Sequence, residues 1–348
     1  MSESKDDMYR IKNRYSVVVH DVDRVEFRQG VWNPTSTTLT DDSRSGKLAR
    51  TIELLDGSHS IADVAKKSEQ SVQDVQAVVS HLEDQGIISL QADNYLDQYV
   101  DLVQGRRAPL QKWPSPVVLV GPPEISEPIH KGLLRTVPDL QITVADENHP
   151  ISLLDHTDNK WLEDGLEFHR RVQQFDSLRD GFVVYTESIA NPVKTRMVDR
   201  IMDHLGVPWL YGVVDGPFVL VGPTTVPERT PSWDAYETRM LMNLRESASY
   251  QAYKKALANG RANHNTDFEV HPILAQLLAS LLLPEAVSWI TTGTTGTLFH
   301  AYSFFTPTSE FSVHEILPLP NSTVGMPVAE RDDFELYFGT RVLERIAE

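Results

Sequence analysis

VVLVGPPEIS, residues 117–126, is the stretch on which the fold of the larger part of the chain turns. Val117 to Val120 form an unbroken apolar run, as a strand buried on both faces does. Gly121 then stands where a phosphate-binding loop would begin. Laying the pattern G-x-G-x-x-G on the run puts Gly121, Pro123 and Ser126 at its three glycine positions. Proline has no N–H to offer a phosphate, and Pro122 and Pro123 are adjacent. The strand is therefore expected to persist and the phosphate loop to be lost.

Outward from this stretch the chain alternates. Helix is expected over 127–136, 162–175 and 192–205. Strand is expected over 141–145, 181–186 and 209–214, with 218–221 as a hairpin partner. This is the order of a doubly wound α/β sheet. Asp146 ends the second strand, where an acidic side chain could meet a ribose; a solvated Asp at a loop start explains it equally. TESIANPVKTR (186–196) offers Glu187, Asn191, Lys194 and Arg196. It also reads as the polar start of a helix, with Asn191 as cap and Pro192 in the first turn. The apolar run 273–290 is interrupted by Gln276, Pro284 and Glu285. Two buried helices with a break between them are expected there rather than a membrane span. TTGTTGT (291–297) lacks the lysine of a phosphate loop and is expected as a turn. The twelve histidines show no metal-ligand spacing; His264 and His271 are expected in solvated loops.

Residues 1–90 are expected to form a separate small domain, with 91–114 as a linker and 115–348 as the α/β domain. Three strand patterns lie at Tyr15, Val17 and Val19, at Val25 and Phe27, and over 35–40. Leu48, Ile52 and Leu55 make a helical stripe, with Gly57 expected to end that helix. Ser60 and Ser71 are expected to cap two further helices. Gly86 ends the last of these, and strand resumes at Ile87 and Ile88. Three helices followed by a strand make a winged-helix pattern. Its third helix carries Asp74, Glu83 and Asp84 but no Lys or Arg, which argues against a seat in a DNA groove.

The formal net charge of -17 likewise argues against nucleic acid and anionic membrane as partners. The absence of cysteine excludes disulfides and thiolate metal sites. Together with a polar N-terminus lacking an apolar core, it points to a cytoplasmic protein.

The frame LARTIELLDGSHSIADVA (48–65) and VVSHLEDQGII (78–88), with the strands before it, resembles the precursor-recognition element of pathways that modify ribosomally made peptides (RiPPs). The resemblance implies that a precursor leader peptide pairs with the strand over 35–40 at a free sheet edge. Thr35, Thr37, Thr38 and Leu39, with Gln73, Gln76, Ala77 and Ser80 of the third helix, are then the contact residues. VPWLYGVVDGPFVLVGPTTVPERTPSWDAYETR (207–239) resembles the ThiF-like adenylating family, in the branch that partners YcaO cyclodehydratases. Gly222, Pro223 and the run Val226 to Thr230 carry the likeness. The family's first cysteine pair falls on Ser232 and Ala235, and its second falls in HEILPLPNSTVGMP (314–327), which holds none. The family's zinc site cannot form.

What the resemblance implies is a leader-binding, catalytically silent partner of a YcaO-type cyclodehydratase, with no cofactor expected. Residual ATP binding would fall to Gly121, Asp146, Lys194 and Arg196. Homodimerisation is common for the fold, with residues 277–283 as a candidate contact. Two alternatives stay open: an active ATP-dependent peptide-modifying enzyme, and a DNA-binding regulator.

Overall fold

The structure is a computed structural model that describes residues 7–32, 35–90, 94–96, 99, 116–262 and 268–319. The expectations for His264, for most of the linker and for residues 320–327 lie outside these. The chain divides into two compact units, residues 1–108 and 109–348.

The first unit runs β1 (Met8–Ile11), β2 (Ser16–Asp21), β3 (Arg24–Gln29), β4 (Thr35–Thr40), α1 (Leu48–Glu53), β5 (Asp56–Ser60), α2 (Ile61–Ser68), α3 (Val72–Asp84) and β6 (Ile88–Ser89). It holds two antiparallel sheets, ordered β5-β1-β6 and β2-β3-β4. Ser60 and Ser71 cap α2 and α3, each accepting from the N–H of an Asp three residues on. Each cap contributes about 1 kcal/mol. Val25, Phe27, Ile52, Val64, Val75, Val79 and Leu82 meet in one buried core. Gly57 does not end the first helix. That helix stops at Glu53, and Gly57, with φ +82°, lies inside β5. There β5 pairs with β1, and a Cβ on residue 57 would sit 3.2 Å from Arg10 Cβ.

The second unit is mixed α/β. It runs β7 (Val117–Val120), α4 (Pro123–Thr136), β8 (Ile142–Val144), α5 (Gly165–Val172), β9 (Phe182–Glu187), α6 (Pro192–Leu205), β10 (Trp209–Asp215), β11 (Phe218–Thr225), α7 (Trp233–Asn243), α8 (Ser247–Ala258), α9 (Pro272–Thr292), β12 (His300–Phe305) and β13 (Glu310–Glu315). One seven-stranded sheet takes the order β13-β12-β11-β10-β9-β7-β8. β8, β7, β9 and β10 are parallel, and β11, β12 and β13 follow as antiparallel neighbours.

Side chains alternate across this sheet as period two requires. Val118, Val120, Val183, Tyr185, Trp209 and Tyr211 enter one core with α6 and α7. On the other face Phe182 meets Trp289 of α9, ring centroids 5.9 Å apart. α9 is a single helix through Pro284, not the two expected. A proline inside a helix costs about 3 kcal/mol. Burial on both sides of it, at Leu278, Ala279, Leu282, Ala286, Val287 and Trp289, offsets that cost. Residues 277–283 are largely engaged inside this unit. A Cβ at Gly212 of β10 would lie 2.7 Å from Leu282 Cδ1, and one at Gly132 of α4 would lie 2.5 Å from Leu283 Cδ1. α9 is also long and apolar enough to cross a membrane by length and composition, and half of that stretch is buried.

Asp199 of α6 is buried beneath α7 with one hydrogen bond, 3.2 Å from the Trp233 N–H. Burial, with Asp203 and Asp234 nearby, pushes its carboxyl up from 3.8 to about 7. Between those values the folded chain holds a proton that the unfolded chain releases, so stability falls as pH rises through that window. Asp199→Asn keeps the acceptor and removes the ionisation. Thermal melts should show wild type and variant alike below pH 4, with the variant gaining up to about 4 kcal/mol above pH 7.

Candidate functional site

At the carboxyl ends of β7, β8 and β9 a cleft of about 560 Å³ opens, lined among others by Gly121, Pro122, Asp146, Ser152, Glu187 and Lys194. Three of the four residues named for residual nucleotide binding therefore meet. How they meet is not how a phosphate loop is built. No loop follows β7. Pro122 is the N-cap of α4 and Pro123 its first residue, four residues earlier than expected. Two adjacent prolines at a helix start remove two N–H groups from the end that would face an anion.

Gly121 has another task. Its φ is +146°, and a Cβ there would lie 2.0 Å from Thr186 Oγ1 and 2.6 Å from the Thr186 carbonyl. Thr186 Oγ1 in turn donates to the Val120 carbonyl at 3.2 Å. The glycine serves close passage of β7 beside β9.

Glu187 ends β9 and lines the same cleft. It is 8% exposed. Its Oε1 accepts from Tyr185 Oη at 2.7 Å. Its Oε2 accepts from Tyr211 Oη at 3.0 Å, the Asn191 N–H at 3.1 Å and Thr195 Oγ1 at 3.1 Å. Burial raises its pKa against these donors, and also holds both tyrosine hydroxyls above their ordinary range. The carboxylate ties two strands to the first turn of α6 and keeps one lone pair, on Oε1. Asn191 caps α6, its Oδ1 accepting from the Lys194 N–H at 3.1 Å. The Lys194 amine is half-buried, its pKa lowered by that burial, and reaches the Ser152 carbonyl at 3.4 Å. The Asp146 carboxylate accepts from the Asn148 N–H at 3.0 Å. Among the described residues no three His, Asp or Glu side chains converge as metal ligands.

Arg196 does not join this cleft. It lies two residues beyond Lys194, roughly 200° around the helix. Its Nε is 3.9 Å from an Asp234 carboxylate oxygen. The sequence gives no sign of the tyrosine pair as a functional feature. Tyr185 and Tyr211 sit in apolar runs, and only their register, opposite one another on β9 and β10, brings both hydroxyls to Glu187.

In the first unit β4 lies at the end of its sheet. The Asp41 N–H donates to the Asp23 carbonyl at 2.8 Å, one step beyond the Arg24–Thr40 pair. Antiparallel pairs alternate. Residues 35, 37 and 39 thus turn their N–H groups to β3, and 36, 38 and 40 turn theirs outward. Leu39 of β4 and Val78 of α3 pack against the same core. Gln76 and Ser80 of α3 are half-buried, and Gln73 and Ala77 are exposed. None of these lines the cavity of about 710 Å³ at the opposite edge of the same sheet, whose lining includes Val17 and Val19 of β2 with Ala49 and Ile52 of α1.

No family model matches the sequence, and no curated protein matches it. Solved structures do. The heterocyclase TruD superposes with a TM-score of 0.59 at 15% identity, over 91% of this chain and 43% of its own. A heterocyclase in complex with substrate and cofactor matches at 0.59 and 15%, over 89% and 38%. The microcin C7 biosynthetic enzyme MccB, in complex with N-formylated MccA, matches at 0.54 and 13%, over 91% and 99%. The chain thus shares the fold of these proteins and spans less than half the length of the heterocyclases.

Gly121→Ala should destabilise the chain by more than about 3 kcal/mol in chemical denaturation, because a backbone carbonyl and a β-branched side chain occupy the methyl's space. A phosphate-loop glycine in open space would show little such loss.

Proposed function

We propose that this chain is a peptide-handling component of RiPP biosynthesis. Its first unit captures the leader of a ribosomally made precursor. Its second unit is a catalytically silent ThiF-like scaffold that docks a separate YcaO-type cyclodehydratase. Capture would raise the effective concentration of the core peptide beside that enzyme, which forms the azoline rings.

The observation that carries this reading is the outer edge of β4, which no other strand among the described residues pairs. Outward N–H groups at Ser36 and Thr38 fit strand addition by an extended peptide. Thr37 and Leu39 lie opposite Phe27 and Val25, on the face of the sheet that bears the core. The fold shared with a substrate-bound heterocyclase and with MccB in complex with N-formylated MccA supports it. The silent-scaffold half rests on the prolines at α4 and on the engagement of Glu187. Charge weighs against the DNA-binding alternative, since α3 holds no Lys or Arg.

Thr38→Pro should weaken binding of a fluorescein-labelled cognate leader at least tenfold in fluorescence polarisation, with the melting temperature nearly unchanged. Thr37→Pro removes an N–H that pairs inside the sheet and should lower the melting temperature itself. Equal leader affinity in wild type and Thr38→Pro would show that β4 is the wrong strand. For the second unit, calorimetric titration of ATP with magnesium into the full chain should reveal no micromolar site that Lys194→Ala removes. Such a site would restore the active-enzyme reading.

A further inference from the structure

Acidic residues outnumber basic ones in this chain, 49 to 32. Four cations nonetheless gather in one cleft of about 550 Å³ in the second unit. Arg196 and Arg200 come from α6, Lys254 and Lys255 from α8, and Glu163 is the single carboxylate in the lining. The volume falls within the range of small-molecule sites, about 300–1,000 Å³.

Existing partners account for only part of this charge. The Lys254 amine donates to both carboxylate oxygens of buried Glu237, at 2.7 and 2.5 Å, and is neutralised there. Arg196 faces Asp234 at 3.9 Å with both side chains about half exposed, a pair of little strength. The Arg200 guanidinium lies 5.7 Å above the Phe168 ring. Among the described residues neither Arg200 nor Lys255 makes an ion pair. Arg196 and Arg200 stand one helical turn apart, which puts their Cβ atoms about 5–6 Å apart on one face. Two guanidinium forks at that spacing, with a lysine from the facing helix, suit an anion whose oxygens are spread over two centres. A single carboxylate would fill one fork only.

We propose that this cleft binds a diphosphate group, either as free pyrophosphate or as the phosphate chain of a nucleotide. It is separate from the Gly121 cleft, since Lys194 and Arg196 leave α6 in different directions. It also stands independently of the peptide-capture reading.

Inorganic pyrophosphate without magnesium should bind the full chain at one saturable site in calorimetry, more weakly as salt is raised. Arg196→Gln/Arg200→Gln should raise the dissociation constant at least tenfold with an unchanged melting temperature, both side chains being exposed. Competition by ADP would assign the diphosphate to a nucleotide, and its absence would leave the free ion as ligand; both support the site. Three results overturn it. One is no saturable heat up to about 5 mM, an affinity too weak to count as a site. Another is binding kept in the double variant or lost instead in Lys194→Ala. The last is a hexaglutamate peptide that binds more tightly than pyrophosphate.

Discussion

β7 and β9 can run side by side to their carboxyl ends only because residue 121 has no side chain. The Thr186 backbone and hydroxyl fill the space a Cβ would need, and Thr186 returns a hydrogen bond to Val120. That contact fixes the seam between β9 and β7 in the seven-stranded sheet. It also sets where α4 begins and where Glu187 emerges at the end of β9. A glycine at the close of a first strand reads as a ligand-binding device, yet here it is a packing device. The two prolines behind it start α4 at once, and a helix that begins on proline presents fewer donors.

Glu187 extends the same logic. A carboxylate at a strand end is a natural place for a cation, but here a tyrosine from each of two adjacent strands and the first turn of α6 hold it. What could coordinate has become a bracket joining strands to helix. Breaking a buried, hydrogen-bonded carboxylate of this kind is costly, whereas keeping it demands only that its donors stay in register. The unit thus keeps a cleft at its strand ends while polar groups around it hold one another.

Much of this was legible in the sequence. The strand at 117–120 and the helix at 192–205 match their expected bounds because one is an unbroken apolar run and the other opens with a cap and a proline. Ser60 and Ser71 signalled their helices through side-chain chemistry alone. β1 and β5 were not legible. DGSHS has no apolar alternation and becomes a strand only because β1 lies beside it, so Gly57 was misread as a helix end. Pro284 misled for the opposite reason: its local cost is real, but packing on both sides outweighs it. Arg196 was assigned to the Gly121 cleft from its place in the segment, although on a helix a shift of two residues reverses the direction a side chain takes. The tyrosines at Glu187 needed the register of two strands, which no single segment contains.

The edge of β4 has a second side. Its six residues, TSTTLT, carry no charge and no proline, and its outward N–H groups could donate to any extended chain, another copy of the same strand included. Proteins usually guard such an edge with lysine, proline or a bulge. Here the strand itself has none, and only Asp41 and Asp42 after it and the net charge of -17 oppose such pairing. High salt screens that charge repulsion, so self-association along β4 would grow with ionic strength.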